Sequence, residues 1–449
     1  MKVQISTLLL AVLTSMTAHA QSFDQYFEDK TLRLDYILAG DNRTQEIFFE
    51  HAYSTTVWAG RKSRLSEEFL KGNGSITVLE KGTGKVLYTH SFSTLFQEWQ
   101  ATEEATKTRK AFEVSFNVPF PKQPVDIALS LTDFHNKETA RLTHTIDPAD
   151  ILIRPLGENG IPHRYIWQGQ ATVDGKPDIT KCIDLAIVAE GYTAAQMDKF
   201  YSDCQRAVDA IFAHEPFTSM KNRFNVVAVA SPSPDSGPSI PHEGKWRSTA
   251  VHTHYDTFYS NRYLMTQDMH QLFDLLTDVP FEHVVVLVNS STYGGGGIYN
   301  QLTVSTSDHP TFKQVLVHEF GHAYGGLGDE YFYDDSYESM YPADTEPWEP
   351  NLTTLVDFES KWADMLPEGT AIPTPPRKIP DYRQIKNKKE QALLDAATQR
   401  IGVFEGGGYQ SKGVYRPAQE CRMKINEVEN FCPVCARALV RITDFYTSH

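Results

Sequence analysis

A five-residue pattern with two histidines constrains this chain more than any other feature. His318 and His322 lie four positions apart, Glu319 follows the first, and the apolar run Val315–Val317 precedes them. Residues four apart share one face of a helix, so the pattern predicts a helix whose two imidazoles can reach one metal ion. The alternative interpretation is an ordinary amphipathic helix that happens to carry two histidines.

The composition is typical of a globular protein with two or three domains. The chain has 449 residues, of which 41% are hydrophobic and 22% are charged. These values argue against a disordered, collagen-like or coiled-coil protein. The net charge of −15 and the lack of a dense basic patch argue against a nucleic-acid partner.

Residues 1–20 have the pattern of a signal peptide. Lys2 gives a positive start, Ile5–Leu13 is mostly apolar, and Ala18–Ala20 fits a cleavage site between small residues. The apolar run is too short for a membrane anchor and no second long one follows, so we expect no transmembrane anchor. Cleavage near Ala20 predicts a secreted or periplasmic protein.

Two compositional regions follow. Residues 21–155 show alternating apolar positions and a hairpin signal at Gly82–Gly84, which predicts an N-terminal β-sandwich domain. Residues 156–164 contain glycine and proline and suit a linker. Residues 165–449 alternate strands with helices, so the whole chain is predicted to be an α+β multidomain protein.

Local signals in residues 165–449 predict individual elements. Buried strands are expected at the continuous apolar runs, and a capping box at Thr193 and Gln196 predicts a helix start. We expect Gly294–Gly297 to be a flexible loop and Gln301–Thr306 to be an edge strand that binds substrate through its backbone. Asp308 is expected to cap the histidine helix, and Gly325 and Gly326 to end it. The expected buried strands are Cys182–Ala189, Phe224–Ala230 and His283–Val288.

A catalytic zinc ion usually takes three protein ligands and one water. Beyond the histidine helix, glycines at positions 325, 326 and 328 let the chain turn back toward the metal, and Asp329 and Glu330 follow. We therefore predict Zn²⁺ held by His318, His322 and Asp329, with Glu330 as the alternative third ligand. Asp329 as an ordinary solvated loop residue is the other interpretation.

The cysteines near the C-terminus permit three interpretations. Cys421, Cys432 and Cys435 could bind a structural zinc ion, but the sequence offers no clear fourth ligand. Two of them could form a disulfide, or the C-x-x-C pair could be redox-active. In an exported chain the disulfide is favoured.

Residues 318–331 resemble the metzincin signature H-E-x-x-H-x-x-G-x-x-H/D. The departure is that Gly328 occupies the third-ligand position and Asp329 follows it by one residue. Together with Cys421–Met423 and Phe431–Cys435, this stretch resembles the IgA-peptidase family of secreted bacterial metallopeptidases over residues 165–449. The resemblance implies a metzincin-like α/β zinc-peptidase domain preceded by a β-rich domain.

Metzincins place a methionine in a turn beneath the zinc ion. Met423, in a C-x-M sequence before a C-x-x-C sequence, is the first candidate for this residue in the present chain. Met340, in Ser339–Pro342, is the second candidate, and a plain core methionine is the alternative for both.

These patterns predict a secreted zinc-dependent endopeptidase that hydrolyses peptide bonds with a zinc-activated water and Glu319 as general base. The alternative is a secreted protein that binds glycans or proteins and carries a vestigial zinc site. The expected partner is a protein or peptide substrate. The family name points to a glycoprotein substrate without fixing it, and the sequence leaves the oligomeric state open.

Overall fold

The computed structural model describes residues 22–55, 57–169, 172–333 and 340–447, and its structure is mixed α+β, as predicted. The predicted signal peptide lies outside the described residues. Within them, no helix has both the length and the apolar character needed to cross a lipid bilayer.

The N-terminal part consists of two four-stranded sheets that share one core. One sheet has the order β5-β1-β2-β8 and the other β4-β3-β6-β7. Leu34 and Phe116 of the first sheet pack with Val78 and Leu129 of the second, as alternating apolar positions require. The elements are α1 (Phe23–Tyr26), β1 (Phe27–Gly40), β2 (Gln45–Thr55), β3 (Gly74–Glu80), β4 (Val86–Phe92), α2 (Leu95–Gln100), β5 (Lys110–Pro121), β6 (Val125–Thr132), β7 (Glu138–Ile146) and β8 (Arg154–Pro155).

The C-terminal part is built on a six-stranded sheet with the order β15-β16-β14-β12-β13-β9. The larger elements are β9 (His163–Trp167), β12 (Ile183–Glu190), α3 (Met197–Phe212), β13 (Phe224–Val229), α5 (Met269–Leu275), β14 (His283–Val288), β15 (Gly295–Ile298), β16 (Leu302–Thr306), α6 (Phe312–Gly325), α7 (Lys388–Gln399) and α8 (Pro433–Thr447). The smaller ones are β10 (Thr172–Val173), β11 (Lys176–Pro177), α4 (Phe217–Met220), β17 (Phe332–Tyr333), β18 (Phe404–Gly407) and β19 (Tyr409–Arg416).

The central strands are buried on both faces, which explains their continuous apolar sequence. Leu185 and Ile187 of β12 face a core shared with α3, α6 and α8, and Ala186 and Val188 face a second core that includes α5. The strands predicted at β12, β13 and β14 are confirmed, as is the capping box before α3.

Two expectations at the sheet edge are wrong. Gly294–Gly297 is not a flexible loop, because Gly295–Ile298 forms the outermost strand β15. β16 therefore lies between β15 and β14 and offers no free edge for a substrate strand. The glycines serve close packing here and do not provide flexibility. A Cβ on Gly295 would lie 3.1 Å from Glu319 Cγ, so the lack of side chains lets the strand approach α6.

The expected start of the histidine helix is also wrong. The N-cap is Thr311, and α6 begins at Phe312. Asp308 instead forms an ion pair with Lys199 of α3, at 2.8 Å between Oδ2 and Nζ. The predicted end is confirmed, because Gly325 is the last helical residue and Gly326 caps it in the left-handed region at φ +60°.

The N-terminal sheets contact the region around the histidine helix. Asn300 Nδ2 donates to Ser91 O at 2.8 Å, and Ser93 N donates to Tyr299 O at 3.0 Å. Because Asn300 N also donates to Ala323 O of α6 at 2.9 Å, these bonds fix the N-terminal part directly beside the helix.

Candidate metal centre

α6 presents its two histidines to one point. Nε2 of His318 and Nε2 of His322 are 3.0 Å apart, as two residues one turn apart allow. The opposite face of the helix buries Leu316 and Phe320 in the core beneath the sheet. The burial of that face fixes the rotation of the helix, and with it the direction of both imidazoles.

The turn after α6 brings Asp329 to the same point. Its Oδ1 lies 3.1 Å from Nε2 of His318 and 3.2 Å from Nε2 of His322. Two ligands of a tetrahedral zinc ion with bonds of about 2.0–2.1 Å lie about 3.3 Å apart. The three predicted ligand atoms therefore form a triangle of the size that zinc requires.

Gly328 occupies the position at which the metzincin signature has its third ligand. In this structure, it forms part of the turn after α6. Its N–H donates to Asn351 Oδ1 at 2.8 Å, and Asn351 Nδ2 donates to its carbonyl at 2.9 Å. A Cβ at Gly328 would also lie 2.5 Å from Leu352 Cδ1. This close packing leaves no room for a side chain, and the next residue, Asp329, faces the histidines.

The hydrogen bonds of the imidazoles leave both Nε2 atoms free to bind a cation. Nδ1 of His318 lies 3.0 Å from Arg422 O, and Nδ1 of His322 lies 2.5 Å from Leu327 O. A carbonyl can only accept, so each Nδ1 carries a proton, and Nε2 is the ring nitrogen that faces the other two side chains. Asp329 Oδ1, which is buried, receives no hydrogen bond among the described residues. Two ring nitrogens and one carboxylate oxygen thus converge on one point, where a cation would be stabilised.

The pKa shifts of His322 and Asp329 also indicate that positive charge is stabilised at this point. Burial lowers the pKa of His322, but Asp329 and Glu319 outweigh this effect and raise that pKa to about 9. Burial raises the pKa of Asp329, and the two imidazoles more than reverse this, so the pKa lies well below its usual value. Positive charge is therefore stabilised between these side chains, as a proton or as a metal ion.

Glu319 lies beside the triangle and is the candidate proton acceptor. A carboxylate oxygen of Glu319 lies within 4.8 Å of a ring nitrogen of each histidine. Burial raises the pKa of Glu319, and the neighbouring imidazoles oppose that effect. A carboxylate beside the two imidazoles can accept a proton and return it in a later step.

Met423, rather than Met340, lies beneath the histidine helix. A Cβ on Gly321, between the two histidines, would lie 2.8 Å from Met423 Sδ. Met423 is fully buried, and its carbonyl accepts from Glu330 N at 2.8 Å. Met340 instead packs against the small cluster that contains Tyr341.

Tyr409 of β19 supports Asp329. Its hydroxyl donates to Asp329 Oδ2 at 2.5 Å. Tyr324 of α6 instead lies in the core, where its hydroxyl bonds Thr443 of α8 at 2.6 Å. Tyr333 instead accepts a hydrogen bond from Arg262 Nη2 at 2.8 Å.

Tyr409→Phe is expected to weaken zinc binding by about 10–100-fold, which is the usual effect of losing an outer-shell hydrogen bond to a zinc ligand. Competition with a chelator of known affinity measures this change. Tyr415→Phe is the matched control, because Tyr415 pairs in a strand with Thr353 through its backbone. Equal zinc affinity in the two variants would show that the Tyr409 hydroxyl does not support the ligand.

Sequence reasoning missed Glu98, which comes from α2 of the N-terminal part. Glu98 accepts a hydrogen bond from Tyr263 OH. Burial raises its pKa to about 7, and the charges of His322, Asp329 and Glu319 also act on it. No local motif marks this residue, because its electrostatic interaction with the histidine site depends on the packing of the two parts of the chain.

The glycine strand β15 limits the space above α6. A Cβ on Gly297 would lie 2.9 Å from His322 Cβ and even closer to the carbonyl oxygen of Glu319. Gly297→Ala is expected to destabilise the protein by about 1–3 kcal/mol, the usual cost of overpacking, and to lower zinc affinity by moving α6.

Chemical denaturation and a chelator titration test the Gly297→Ala prediction. Gly157→Ala is the control, because a Cβ there meets nothing within 4 Å and its φ lies outside the left-handed region. A Gly297→Ala protein as stable as the control, with unchanged zinc affinity, would contradict the role of this close approach.

The favoured disulfide is wrong, because Cys421, Cys432 and Cys435 are all free thiols. Their sulfurs face Glu330, the alternative third ligand, whose Oε1 accepts from Cys435 Sγ at 3.0 Å. Glu330 therefore points to the cysteines, and Asp329 points to the histidines.

Two protein-family models match this chain. The family model described as IgA Peptidase M64 matches residues 172–387 and 378–443. The model described as Peptidase M64 N-terminus matches residues 22–143. No curated protein matches the chain. Since the first model covers more than half of the sequence, and the second covers most of the N-terminal sheets, the chain belongs to the IgA peptidase M64 family.

Proposed function

We propose that this protein is an exported zinc-dependent endopeptidase. Family membership makes it a peptidase with a protein or peptide substrate. The observation that supports the finer proposal is the triangle of His318 Nε2, His322 Nε2 and Asp329 Oδ1, with sides of 3.0, 3.1 and 3.2 Å. Zinc would fit this set of two nitrogens and one oxygen, and a catalytic zinc site usually adds one water to three protein ligands.

The chemistry divides between the metal and Glu319. Zinc, when bound, supplies a Lewis acid that lowers the pKa of water from about 16 toward about 7 and polarises a carbonyl group. Glu319 accepts the proton of that water at its carboxylate as the water oxygen bonds to the peptide carbon. Glu319 then returns the proton to the amide nitrogen, and the C–N bond breaks to release an amine.

The surrounding residues keep these groups in place. Arg422 O and Leu327 O hold the imidazoles in the tautomer that leaves Nε2 unprotonated, and Tyr409 holds the carboxylate of Asp329. Such outer contacts orient the ligands and reduce the reorganisation needed during reaction. A metzincin-like arrangement is proposed on the same basis, with Met423 beneath the helix.

A cleavage assay on unfolded protein substrates tests this proposal. Removal of metal with a chelator is expected to abolish cleavage, and stoichiometric zinc is expected to restore it. Cleavage that persists in the fully metal-free protein would overturn zinc dependence. The absence of cleavage in the zinc-loaded protein, over a broad peptide library, would instead favour a binding protein.

Export is proposed from residues 1–20 and needs its own test. Intact mass spectrometry of protein from the culture medium or the periplasm is expected to find a mature chain that begins near Gln21. A cell-associated protein that retains these residues would contradict export.

A further inference from the structure

Three cysteines and one glutamate meet in the interior, apart from the histidine triangle. Glu330, Cys421, Cys432 and Cys435 are fully buried, and one ligand atom from each lies within 4.8 Å of all the others. Sγ of Cys421 and Sγ of Cys435 are 3.8 Å apart. This separation is far longer than the roughly 2.05 Å of a disulfide bond. It matches the roughly 3.8 Å between two sulfurs bound to one tetrahedral zinc ion at about 2.3 Å each.

We propose that Glu330, Cys421, Cys432 and Cys435 bind a second zinc ion, with a structural role. The donor set is one carboxylate and three thiolates, and four protein ligands without an open position are the mark of a structural site. The glutamate supplies the fourth ligand that the cysteine spacing alone lacks.

Glu330 gives an independent reason for a cation at this point. Its Oε1 accepts from Asn351 Nδ2 at 3.0 Å, whereas its Oε2 is buried and receives no hydrogen bond among the described residues. A buried carboxylate without enough partners costs free energy, and a metal ion bound by this carboxylate would offset that cost.

The surroundings also fit the charge of such a site. Three thiolates and one carboxylate around Zn²⁺ leave a net charge of −2. Arg416 is buried and acts electrostatically on Glu330, and the buried Arg422 interacts in the same way with Cys421. These two guanidinium groups offset the excess negative charge, as a buried metal site requires.

The proposed second zinc site would connect the chain segments that surround the histidine site. Glu330 directly follows Asp329, and Cys421 lies two residues before Met423. Cys432 and Cys435 lie at the start of α8, which packs on α6 through Leu439 and Gly325. A metal ion here would fix the Asp329 turn, the Met423 turn and α8 to one another. It would also keep three thiols reduced in an oxidising compartment, because bound thiolates are not free to pair.

Metal analysis of a variant that lacks the first site tests this proposal without altering the second. Elemental analysis of the full mature protein is expected to find two zinc ions per chain. The double variant His318→Ala, His322→Ala is expected to retain one. X-ray absorption at the zinc edge should then show about three sulfur neighbours at about 2.3 Å. A double variant that holds no zinc, or zinc without sulfur neighbours, would overturn the second site, whatever the outcome for catalysis.

A cysteine substitution in the same double variant assigns the ligands. Cys435→Ser is expected to reduce the remaining zinc from one ion to near zero. Cys204→Ser, a buried cysteine on α3 outside the cluster, is the matched control and should retain it. Retention of the zinc by Cys435→Ser would overturn the assignment. An intact mass of the wild-type protein that shows a disulfide among these cysteines would also overturn it.

Discussion

Replacing Glu319 with Gln is expected to lower the rate of peptide cleavage by about 10²–10⁴-fold, the usual range for loss of a general acid–base group. Gln has nearly the same shape but cannot accept the proton from water or return it to the leaving amine. Zinc content should not change, because the proposed ligands are His318, His322 and Asp329. The loss should therefore appear in kcat with little change in KM.

Steady-state kinetics and elemental analysis on the same preparation measure both quantities. Glu282→Gln is the control, because Glu282 accepts from Asp184 N at 3.2 Å at the start of β14 and is not part of the histidine cluster. A Glu319→Gln enzyme with wild-type kcat and full zinc occupancy would refute the role of Glu319. Loss of zinc in this variant would show that its carboxylate binds or supports the metal instead.

Asp329→Ala is expected to weaken zinc binding at the histidine site by more than about 100-fold. Even outer-shell partners of zinc ligands contribute 10–100-fold, and Asp329 supplies one of the three converging atoms. Its removal also leaves the two imidazoles without the carboxylate that stabilises positive charge between them. Activity should fall in step with zinc occupancy and recover in part at high zinc concentration.

Chelator competition measures the affinity, and circular dichroism checks that Asp329→Ala still folds. Asp344→Ala, at an exposed acid in the following loop, is the control and should bind zinc normally. Unchanged affinity in Asp329→Ala would remove it from the ligand set. If the alanine variant does not fold, Asp329→Asn keeps the size of the side chain and should show the same direction of change.

Local sequence patterns were sufficient to predict the histidine helix and the three side chains that converge beside it. The four-residue spacing of the histidines depends only on helix geometry, and the glycines after α6 signal a turn whatever the rest of the chain does. Asp329 faces the histidines because Gly328 is packed against Leu352. That packing also explains why the acid that faces the histidines lies one residue beyond the third-ligand position of the metzincin signature.

Tertiary packing makes the contacts that sequence reasoning could not predict. Tyr409 bonds Asp329 across 80 positions, and Glu330 meets Cys435 across 105. Glu98 comes from the N-terminal part, where no pattern signals a role in the site. None of these contacts has a periodicity or a spacing that can be recognised in one sequence.

The predictions for the β15 glycines and for Asp308 are wrong because these residue types can have more than one structural role. Glycines at β15 suggest flexibility, but here they allow a strand to approach α6 closely. Asp308 has the chemistry of a helix cap, yet it pairs with Lys199 of the neighbouring helix. In both cases a long-range contact determines the outcome, and local propensity does not.

Anomalous diffraction at the zinc edge, on crystals of the mature protein, tests the central claim most directly. The account predicts a peak about 2.0–2.2 Å from Nε2 of His318, Nε2 of His322 and a carboxylate oxygen of Asp329. A zinc-loaded, active protein whose anomalous map shows no peak among these three side chains would contradict it.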